Sequence, residues 1–311
     1  MHSSLAIRMA LELKLNMEVD SSSKKKYTWL EKEIRRRTWW SLYLNDRWEI
    51  ARGDLCWIQD IDCRIYPPAS DEIWESISSI DDQPTNELPY TPNELIVVCS
   101  SSPFLEGIPF RSLFGAMILL VRLFAKVAEY RRAMVVKFIR PIPVPPLEGI
   151  DLDDYFMKLS NAFKKWQSWL PLWAQEITPI DAAESRLPTR PWDIASIHVL
   201  YNTTLILLYR CKLLVPRPAI HRNLITTDLY RICKQSALAV TEILEMIMAV
   251  NPHFHYIHPM CGLYCVYHSA EMMLATVCLL REGEDDLKLL QMKLGRYLIA
   301  LQNMSKCKFY I

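Results

Sequence analysis

Glycine is scarce in this chain: only 7 of its 311 residues are glycine, against 19 prolines. Tight β-turns and phosphate-binding loops depend on glycine, because it adopts positive φ angles without a steric cost. A many-stranded β protein of this length would need more of it. Long stretches rich in leucine, methionine and alanine favour helices instead. We therefore predict an all-α fold, a multi-helical array of seven to eight helices.

The predicted helices cover most of the chain and show no repeat period. Residues 3–17 alternate in polarity as a strand would, but their composition favours a helix. A long helix is predicted over about residues 28–51, ending near Gly53. Asp153 or Asp154 is the expected N-cap of a later helix. The other helices are expected at about residues 110–139, 153–170, 192–215, 227–251, 259–281 and 285–304.

Residues 71–110 differ in composition from the rest of the chain. They hold eight acidic residues, five prolines and no lysine or arginine. Such a segment cannot bury enough apolar surface to order itself. We predict a flexible acidic connector here, with one short helical piece around residues 73–80. The connector is expected to lie within a single α-helical domain spanning residues 1–311.

The overall charge and the cysteine pattern narrow the classes of function. A formal net charge of +1 excludes the strongly basic surface typical of nucleic-acid-binding domains and leaves only local patches. The 9 cysteines are odd in number and irregularly spaced. We therefore expect an intracellular protein whose cysteines are reduced and mostly buried. Residues 260–280 could span a bilayer by length, but Glu271 would be costly in lipid. A buried core helix is the preferred interpretation.

Common catalytic motifs are missing from the sequence. It contains no GxGxxG, no P-loop, no GxSxG nucleophile elbow and no HExxH zinc motif. Each Asp-Asp pair lacks the further acidic residue of the DDxx[DE] magnesium motif found in helical isoprenoid enzymes. We therefore predict that the chain is not an enzyme. A helical enzyme without a recognised motif remains an alternative.

Two groups of residues could in principle ligate a metal ion. The larger combines imidazoles and thiols, which suit zinc, and consists of His253, His255, His258, Cys261, Cys265 and His268. Its CxxxC spacing is not the usual CxxC, and cysteine is also a common core residue, so a core helix with its entry loop is preferred. Asp60 and Asp62 form a weak magnesium candidate, for which pairing with arginines is preferred. We predict no metal and no cofactor.

Residues 35–48, RRRTWWSLYLNDRW, place three arginines beside two adjacent tryptophans. On a helix, their apolar residues occupy several faces, which is typical of a buried helix. A buried arginine needs a carboxylate or carbonyl partner, and it can also stack on an aromatic ring. Acidic residues are interleaved with the arginines, whereas a phosphate-binding helix would exclude them. We predict an internal ionic framework, with a partner-facing surface and a nucleic-acid contact as the less favoured alternatives.

The same residues resemble a known family. RMALELKLN, RRRTWWSLYLNDR and IQDIDCRIYPP are similar to successive motifs of the fungal-specific transcription factor domain, the middle homology region of Zn2Cys6 zinc-cluster transcription factors. The specific likeness covers about residues 4–68, and a weaker one extends to about residue 280. Where the family has Gly-Arg-Pro, this chain has Arg52-Gly53-Asp54, so we expect a different turn there. The residues that match the family motifs are Arg8, Arg35, Arg36, Arg37, Trp39, Trp40, Tyr43, Asp46, Arg47, Asp60, Asp62 and Pro67.

The resemblance implies a regulatory domain that controls transcription in the nucleus. It would act through other transcription proteins, through a relative of the same family, or by sensing a small-molecule inducer. The family's zinc cluster requires CxxC pairs, and this sequence contains none. We therefore expect an N-terminally truncated family member that binds neither nucleic acid directly nor membranes. The alternative is a stand-alone interaction protein, or an inert fragment, that pairs with a full-length relative.

Overall fold

The computed structural model confirms the all-α prediction. It describes residues 2–19, 26–53, 56–77, 79, 84, 111–139, 151–177, 190–213, 227–250, 259–279 and 285–306. Within these ranges there are ten α-helices, eight of them longer than six residues, and no β-strand. The helices are α1 (His2–Glu12), α2 (Trp29–Arg52), α3 (Asp71–Ser76), α4 (Leu113–Ile139), α5 (Leu152–Trp169), α6 (Leu172–Gln175), α7 (Arg190–Leu213), α8 (Asp228–Val250), α9 (Pro259–Leu279) and α10 (Asp285–Lys306).

Local capping interactions explain the ends of α2 and the start of α5. Thr28 precedes α2 and forms a capping box with Glu31, in which each side chain accepts a hydrogen bond from the other's backbone N–H. Gly53 ends α2 in the left-handed conformation, with φ 91°. The predicted cap of α5 is wrong: the carboxylate of Asp151 accepts from the N–H of Asp153 at 2.9 Å. Three closely spaced aspartates made this choice ambiguous in the sequence.

Part of the predicted acidic connector is helical. Residues 71–76 form α3, and the hydroxyl of Ser70 caps it by accepting a hydrogen bond from the N–H of Ile73. The remainder of residues 71–110, apart from residues 77, 79 and 84, lies outside the described part of the chain. Its predicted flexibility therefore stays a prediction.

The chain divides into two compact units. Unit 1 comprises residues 1–126 and 157–171, and unit 2 comprises residues 127–156 and 172–311. Helices α4 and α5 contribute residues to both units. The single domain predicted over residues 1–311 stays a prediction.

Unit 1 is built around α2. Helix α1 packs against α2, and the segment 56–70 is joined to the end of α1 by an isolated parallel β-bridge. In this bridge, the N–H of Arg64 donates to the carbonyl of Asn16 at 2.8 Å, and the N–H of Glu18 donates to the carbonyl of Arg64 at 2.7 Å. These elements and Ile118 of α4 share an apolar core, which consists of Ile7, Ala10, Trp39, Trp40, Tyr43, Ile58, Cys63, Ile65 and Ile118.

Unit 2 contains an array of four long helices. Helix α9 packs against α7, α8 and α10, and α8 packs against α7 and α10. Six of the buried residues of α8 recur every three or four positions and so form one inward face: Tyr230, Cys233, Ala237, Val240, Leu244 and Ile247. The hydroxyl of Tyr297 in α10 donates to the carbonyl of Ala237. Among the described residues, none of the helices is both long enough and apolar enough to cross a bilayer.

Replacement of Gly53 by alanine should lower the free energy of unfolding by about 1 kcal/mol, because an L-residue at positive φ is strained. The matched control is Ser41→Ala, at an exposed position inside the same helix. Alanine is the better helix former, so this change should be neutral or stabilising by about 0.5 kcal/mol. Urea unfolding followed by circular dichroism measures both effects. Equal stability of the two variants would contradict the prediction.

Candidate functional site

The residues that match the family motifs lie in unit 1, and most of them are in α2. Five of the charged ones take part in two groups of ion pairs: Arg36, Arg37, Asp46, Arg47 and Asp60. The Glu33 cluster comprises Glu18, Glu33, Arg36, Arg37 and Asp71. The Asp60 cluster comprises Asp46, Arg47, Asp60 and Arg122.

The Glu33 cluster occupies the N-terminal half of α2. Arg36 binds Glu18 through two parallel hydrogen bonds, from Nε at 3.0 Å and from Nη2 at 2.9 Å. Glu33 is fully buried, and it accepts from Nε of Arg37 at 2.9 Å and from the N–H of Ala69 at 2.9 Å. The contact between Glu33 and Arg37 follows from helical geometry, because residues three and four positions apart share a face.

Aromatic rings cover the guanidinium of Arg37. Its central carbon lies 4.4 Å from the ring centroid of Trp74 and 5.8 Å from that of Phe114. Such stacking combines cation–π attraction with shielding from water. Arg37 also donates from Nη2 to the carbonyl of Ala69 at 3.4 Å.

The Asp60 cluster occupies the C-terminal half of α2. Arg47 donates from Nη1 to Asp46 Oδ2 at 2.9 Å and from Nη2 to Asp60 Oδ1 at 2.7 Å. The other oxygen of Asp60 accepts from Nε of Arg122 in α4 at 3.0 Å. Asp60 lies in a short 3₁₀ helix, Asp60–Asp62. This carboxylate thus joins three elements of unit 1.

Asp46 also fixes the chain that follows α2. Its two carboxylate oxygens accept from the N–H groups of Trp57 at 2.8 Å and Ile58 at 3.0 Å. Arg47 donates to the carbonyl of Ile58 at 2.8 Å. The pair therefore satisfies backbone groups that would otherwise be buried without partners.

Burial and charge shift the pKa values of the two central carboxyl groups in opposite directions. Burial raises the pKa of Glu33, and the neighbouring Arg37 and Arg36 only partly offset this effect. Burial also opposes ionisation of Asp60, but the charges of Arg122 and Arg47 outweigh it and lower the pKa to about 2. Burial raises the pKa of Tyr43 well above its usual value, so its hydroxyl is a neutral donor to Asp60 Oδ1 at 2.8 Å.

The aromatic motif residues fill the core between the two clusters. Trp39 and Trp40 are 0% and 1% exposed. The indole N–H of Trp40 donates to the carbonyl of Tyr66 at 2.8 Å, and its ring packs edge-on against Tyr43. The indole nitrogen of Trp39 is buried without a hydrogen-bond partner. These side chains therefore stabilise unit 1 by packing, and they offer no surface for a base or a substrate.

The remaining four motif residues belong neither to the two clusters nor to the aromatic residues between them. Arg35 donates to the carbonyls of Leu13 and Lys14, at the end of α1. Arg8 is exposed and pairs only locally with Glu12, at 3.2 Å. Asp62 is exposed, and Pro67 is half-buried.

The two carboxylates of the magnesium candidate, Asp60 and Asp62, do not point at a common position. Asp60 points at two arginines, whereas the side chain of Asp62 is exposed to solvent. No group of three potential metal ligands occurs among the described residues. Of the larger histidine–cysteine group, residues 253–258 and the side chain of Cys261 lie outside the described part. Cys265 is buried, and His268 pairs with Glu271 at 2.7 Å.

The solvent-facing stripe of α2 carries no charge. Between residues 29 and 50, the exposed positions are Ile34, Thr38, Ser41 and Asn45, which are spaced three or four residues apart. A helix that binds phosphate would present lysine or arginine on this face. The arginines instead face partners within unit 1.

Sequence reasoning missed four charged partners of these clusters: Glu18, Glu33, Asp71 and Arg122. Glu33 carried a local signal, because it precedes Arg36 and Arg37 by three and four residues. Glu18 is 18 residues from Arg36, and Arg122 is 62 residues from Asp60, so no local spacing indicates either pair.

Comparison with models of protein families identifies the chain. Residues 1–167, more than half of the chain, match the model described as the fungal specific transcription factor domain. The chain belongs to the fungal-specific transcription factor domain family. The resemblance seen in the motifs is thereby confirmed. Comparison with curated proteins and comparison with solved structures gave no match.

The family match includes both ion-pair clusters. It covers all of unit 1 except residues 168–171, and of unit 2 it covers residues 127–156. Family membership supports a regulatory domain of a transcription factor in general terms. The remainder of unit 2, which contains α7 to α10, lies beyond the matched residues.

Asp46→Ala should lower the free energy of unfolding by about 3 kcal/mol, because it leaves Arg47 short of a counter-charge and two buried N–H groups without an acceptor. The matched control is Asp62→Ala, in the same motif region but exposed, with an expected change below about 0.5 kcal/mol. Chemical denaturation of both variants measures the difference. A loss below about 0.5 kcal/mol for Asp46→Ala would show that the buried pair contributes little.

Asp60 should make unit 1 sensitive to acid. Its pKa in the folded protein lies below its ordinary value of 3.8, so its ionisation stabilises the fold above that value. This contribution, about 2 kcal/mol, should be lost as the pH falls from about 4 to about 2. Glu33 acts with the opposite sign, because its raised pKa makes the fold less stable as the pH rises through the range in which it ionises.

Unfolding of the wild type and of Asp60→Asn between pH 5 and pH 2 isolates this effect. The variant should be less stable at pH 5, because two buried arginines lose a carboxylate. The difference between the two proteins should shrink by about 2 kcal/mol as the pH falls through the pKa of Asp60. A difference that is independent of pH would contradict the assigned pKa.

Proposed function

We propose that the chain is the helical regulatory domain of a fungal zinc-cluster transcription factor and that it acts in the nucleus. It controls transcription through contacts with other transcription proteins or with a relative, or by binding a small inducer. The observation that carries this proposal is the family match over residues 1–167. The nuclear location and the zinc-cluster relationship are inferred from the family.

The charge arrangement of α2 supports a role without direct DNA contact by this helix. Arg36 and Arg47 are 6% and 5% exposed, and each is held by carboxylates. Releasing either side chain to bind phosphate would leave a buried carboxylate unpaired, at a cost of several kcal/mol. The solvent-facing stripe of α2, Ile34 to Asn45, offers no cation in their place.

A non-enzymatic role agrees with the chemistry of the site. Catalytic carboxyl groups need a pKa near the working pH and access to substrate. Asp60 is instead held ionised between two arginines, and Glu33 is fully buried. The Glu33 and Asp60 clusters therefore support the architecture of unit 1 and carry no reaction.

Fusion of the chain to a heterologous DNA-binding domain tests the regulatory role. In a fungal reporter strain, the fusion should change reporter transcription several-fold relative to the DNA-binding domain alone, constitutively or after addition of an inducer. The Asp46→Ala fusion should lose the effect, because unit 1 is destabilised. The Asp62→Ala fusion should retain it.

A soluble, folded fusion that leaves transcription unchanged under every condition would refute the proposal. If the silent chain nevertheless co-purified with a zinc-cluster protein, the result would support the alternative of an interaction protein that pairs with a relative. If it co-purified with none, an inert fragment would be the remaining interpretation.

A further inference from the structure

A second group of charged and polar side chains lies in unit 2, on α4, α7 and α9. It comprises Arg131 of α4, Arg210 and Cys211 of α7, and Tyr264, Tyr267, His268 and Glu271 of α9. No motif residue of the family belongs to this group. The ion pairs of unit 1 do not involve it.

Glu271 neutralises one side of this group. One of its oxygens accepts from Nη1 of Arg210 at 3.1 Å and lies 2.7 Å from Nδ1 of His268. Its other oxygen accepts from the hydroxyl of Tyr267 at 3.4 Å. Burial opposes the ionisation of Glu271. The hydrogen bonds and charges of His268 and Arg210 outweigh burial and lower the pKa of Glu271 below its usual value. Glu271 is therefore an ionised internal counter-ion.

Arg131 has no such counter-ion among the described residues. Its Nη1 donates to the hydroxyl of Tyr264 at 3.4 Å, and its guanidinium also hydrogen-bonds the thiol of Cys211. Neither partner is an anion, since burial raises the pKa values of both Tyr264 and Cys211. The group thus contains two guanidinium groups but one carboxylate, which pairs with Arg210, and it keeps an excess of about one positive charge.

The pKa of His268 lies below its usual value, and burial is the largest cause. The positive charges of Arg131 and Arg210 lower this pKa further, whereas Glu271 raises it. The imidazole is consequently neutral at neutral pH, and the positive charge resides on the two arginines.

A buried hydroxyl without a partner adjoins the group. Tyr130 of α4 is 0% exposed, and its hydroxyl has no hydrogen-bond partner. Burial raises the pKa of this phenol, and it lies close enough to Cys211, the residue that Arg131 contacts, for a charge on that thiol to raise the pKa further. Buried hydroxyl groups are normally satisfied, so this unused donor lies where an additional acceptor would stabilise the fold.

The group remains open to solvent on one side. Tyr267 is 53% exposed, and the side chain of Glu271 is 37% exposed, whereas that of His268 is only 14% exposed. A small ligand could therefore reach the arginines past Tyr267 and Glu271 and be partly withdrawn from water there.

We propose that α4, α7 and α9 form a binding site for a small organic carboxylate. Its carboxylate pairs with the guanidinium of Arg131 and accepts a hydrogen bond from the hydroxyl of Tyr264. A single excess positive charge matches one carboxylate better than a doubly charged phosphate. Glu271 binds Arg210 and competes with the ligand for that cation. The inference rests on the proposed regulatory function for its biological meaning, since such a ligand would be the inducer.

Isothermal titration calorimetry of the full chain with sodium benzoate, against sodium chloride at equal ionic strength, tests the site. Benzoate should bind saturably to the wild type. Arg131→Gln should weaken this binding at least about tenfold, because a charge-assisted pair is lost. Glu271→Gln should strengthen it, by up to about tenfold, because Arg210 is released from its internal partner. Sodium phosphate should bind more weakly than benzoate.

The matched control is Arg231→Gln, which removes an exposed arginine of the same unit that pairs with Asp228. It should bind benzoate as the wild type does. Absence of benzoate binding above the chloride baseline, equal binding by Arg131→Gln, weaker binding by Glu271→Gln, or a preference for phosphate would each overturn the proposal. Arg131→Gln is expected to weaken benzoate binding and Glu271→Gln to strengthen it. General destabilisation of the protein would instead weaken binding in both variants.

The reporter fusion separates this inference from the proposed function. Benzoate binding together with a silent reporter would leave the site intact and refute only the regulatory role. An active reporter together with a chain that fails to bind benzoate would refute only the carboxylate site.

Discussion

The salt bridges of Arg47 with Asp46 and Asp60 are the interaction on which the rest of unit 1 depends. An arginine cannot shed its charge inside a protein, so burying Arg47 and Arg122 requires carboxylates in the same interior. Asp60 serves both arginines, because each of its oxygens faces a different one. Asp46 faces Arg47 and the backbone of the segment after α2. The end of α2, the 3₁₀ helix and α4 are thereby held in one arrangement.

This requirement changes the meaning of the arginine-rich stretch. Three consecutive arginines beside tryptophans are compatible with a helix that binds nucleic acid, and composition alone does not exclude that interpretation. In the folded chain, Arg35 satisfies carbonyls at the end of α1, Arg36 pairs with Glu18, and Arg37 stacks on Trp74. Each of the three arginines has a different partner within unit 1. The stretch therefore identifies the family through residues that stabilise its fold.

Unit 2 shows the converse arrangement. Its four-helix array buries apolar faces in the ordinary way, yet the group around Arg131 and Arg210 contains only the carboxylate of Glu271, which pairs with Arg210 and not with Arg131. In unit 1, the buried arginines are matched by carboxylates, so their charges are balanced within the unit. The unmatched charge beside the buried hydroxyl of Tyr130 is why the group in unit 2 is proposed to bind a ligand.

The sequence by itself determined the helical class, most helix bounds and the family. These depend on signals within a few residues, such as the Thr28–Glu31 capping box and the glycine that ends α2. Only the tertiary structure decided that Asp60 is buried while Asp62 is exposed, and that Glu18 and Arg122 complete the clusters. The physical reason is that the partner of a buried charge is set by packing between segments far apart in the chain. No local periodicity or composition encodes that packing.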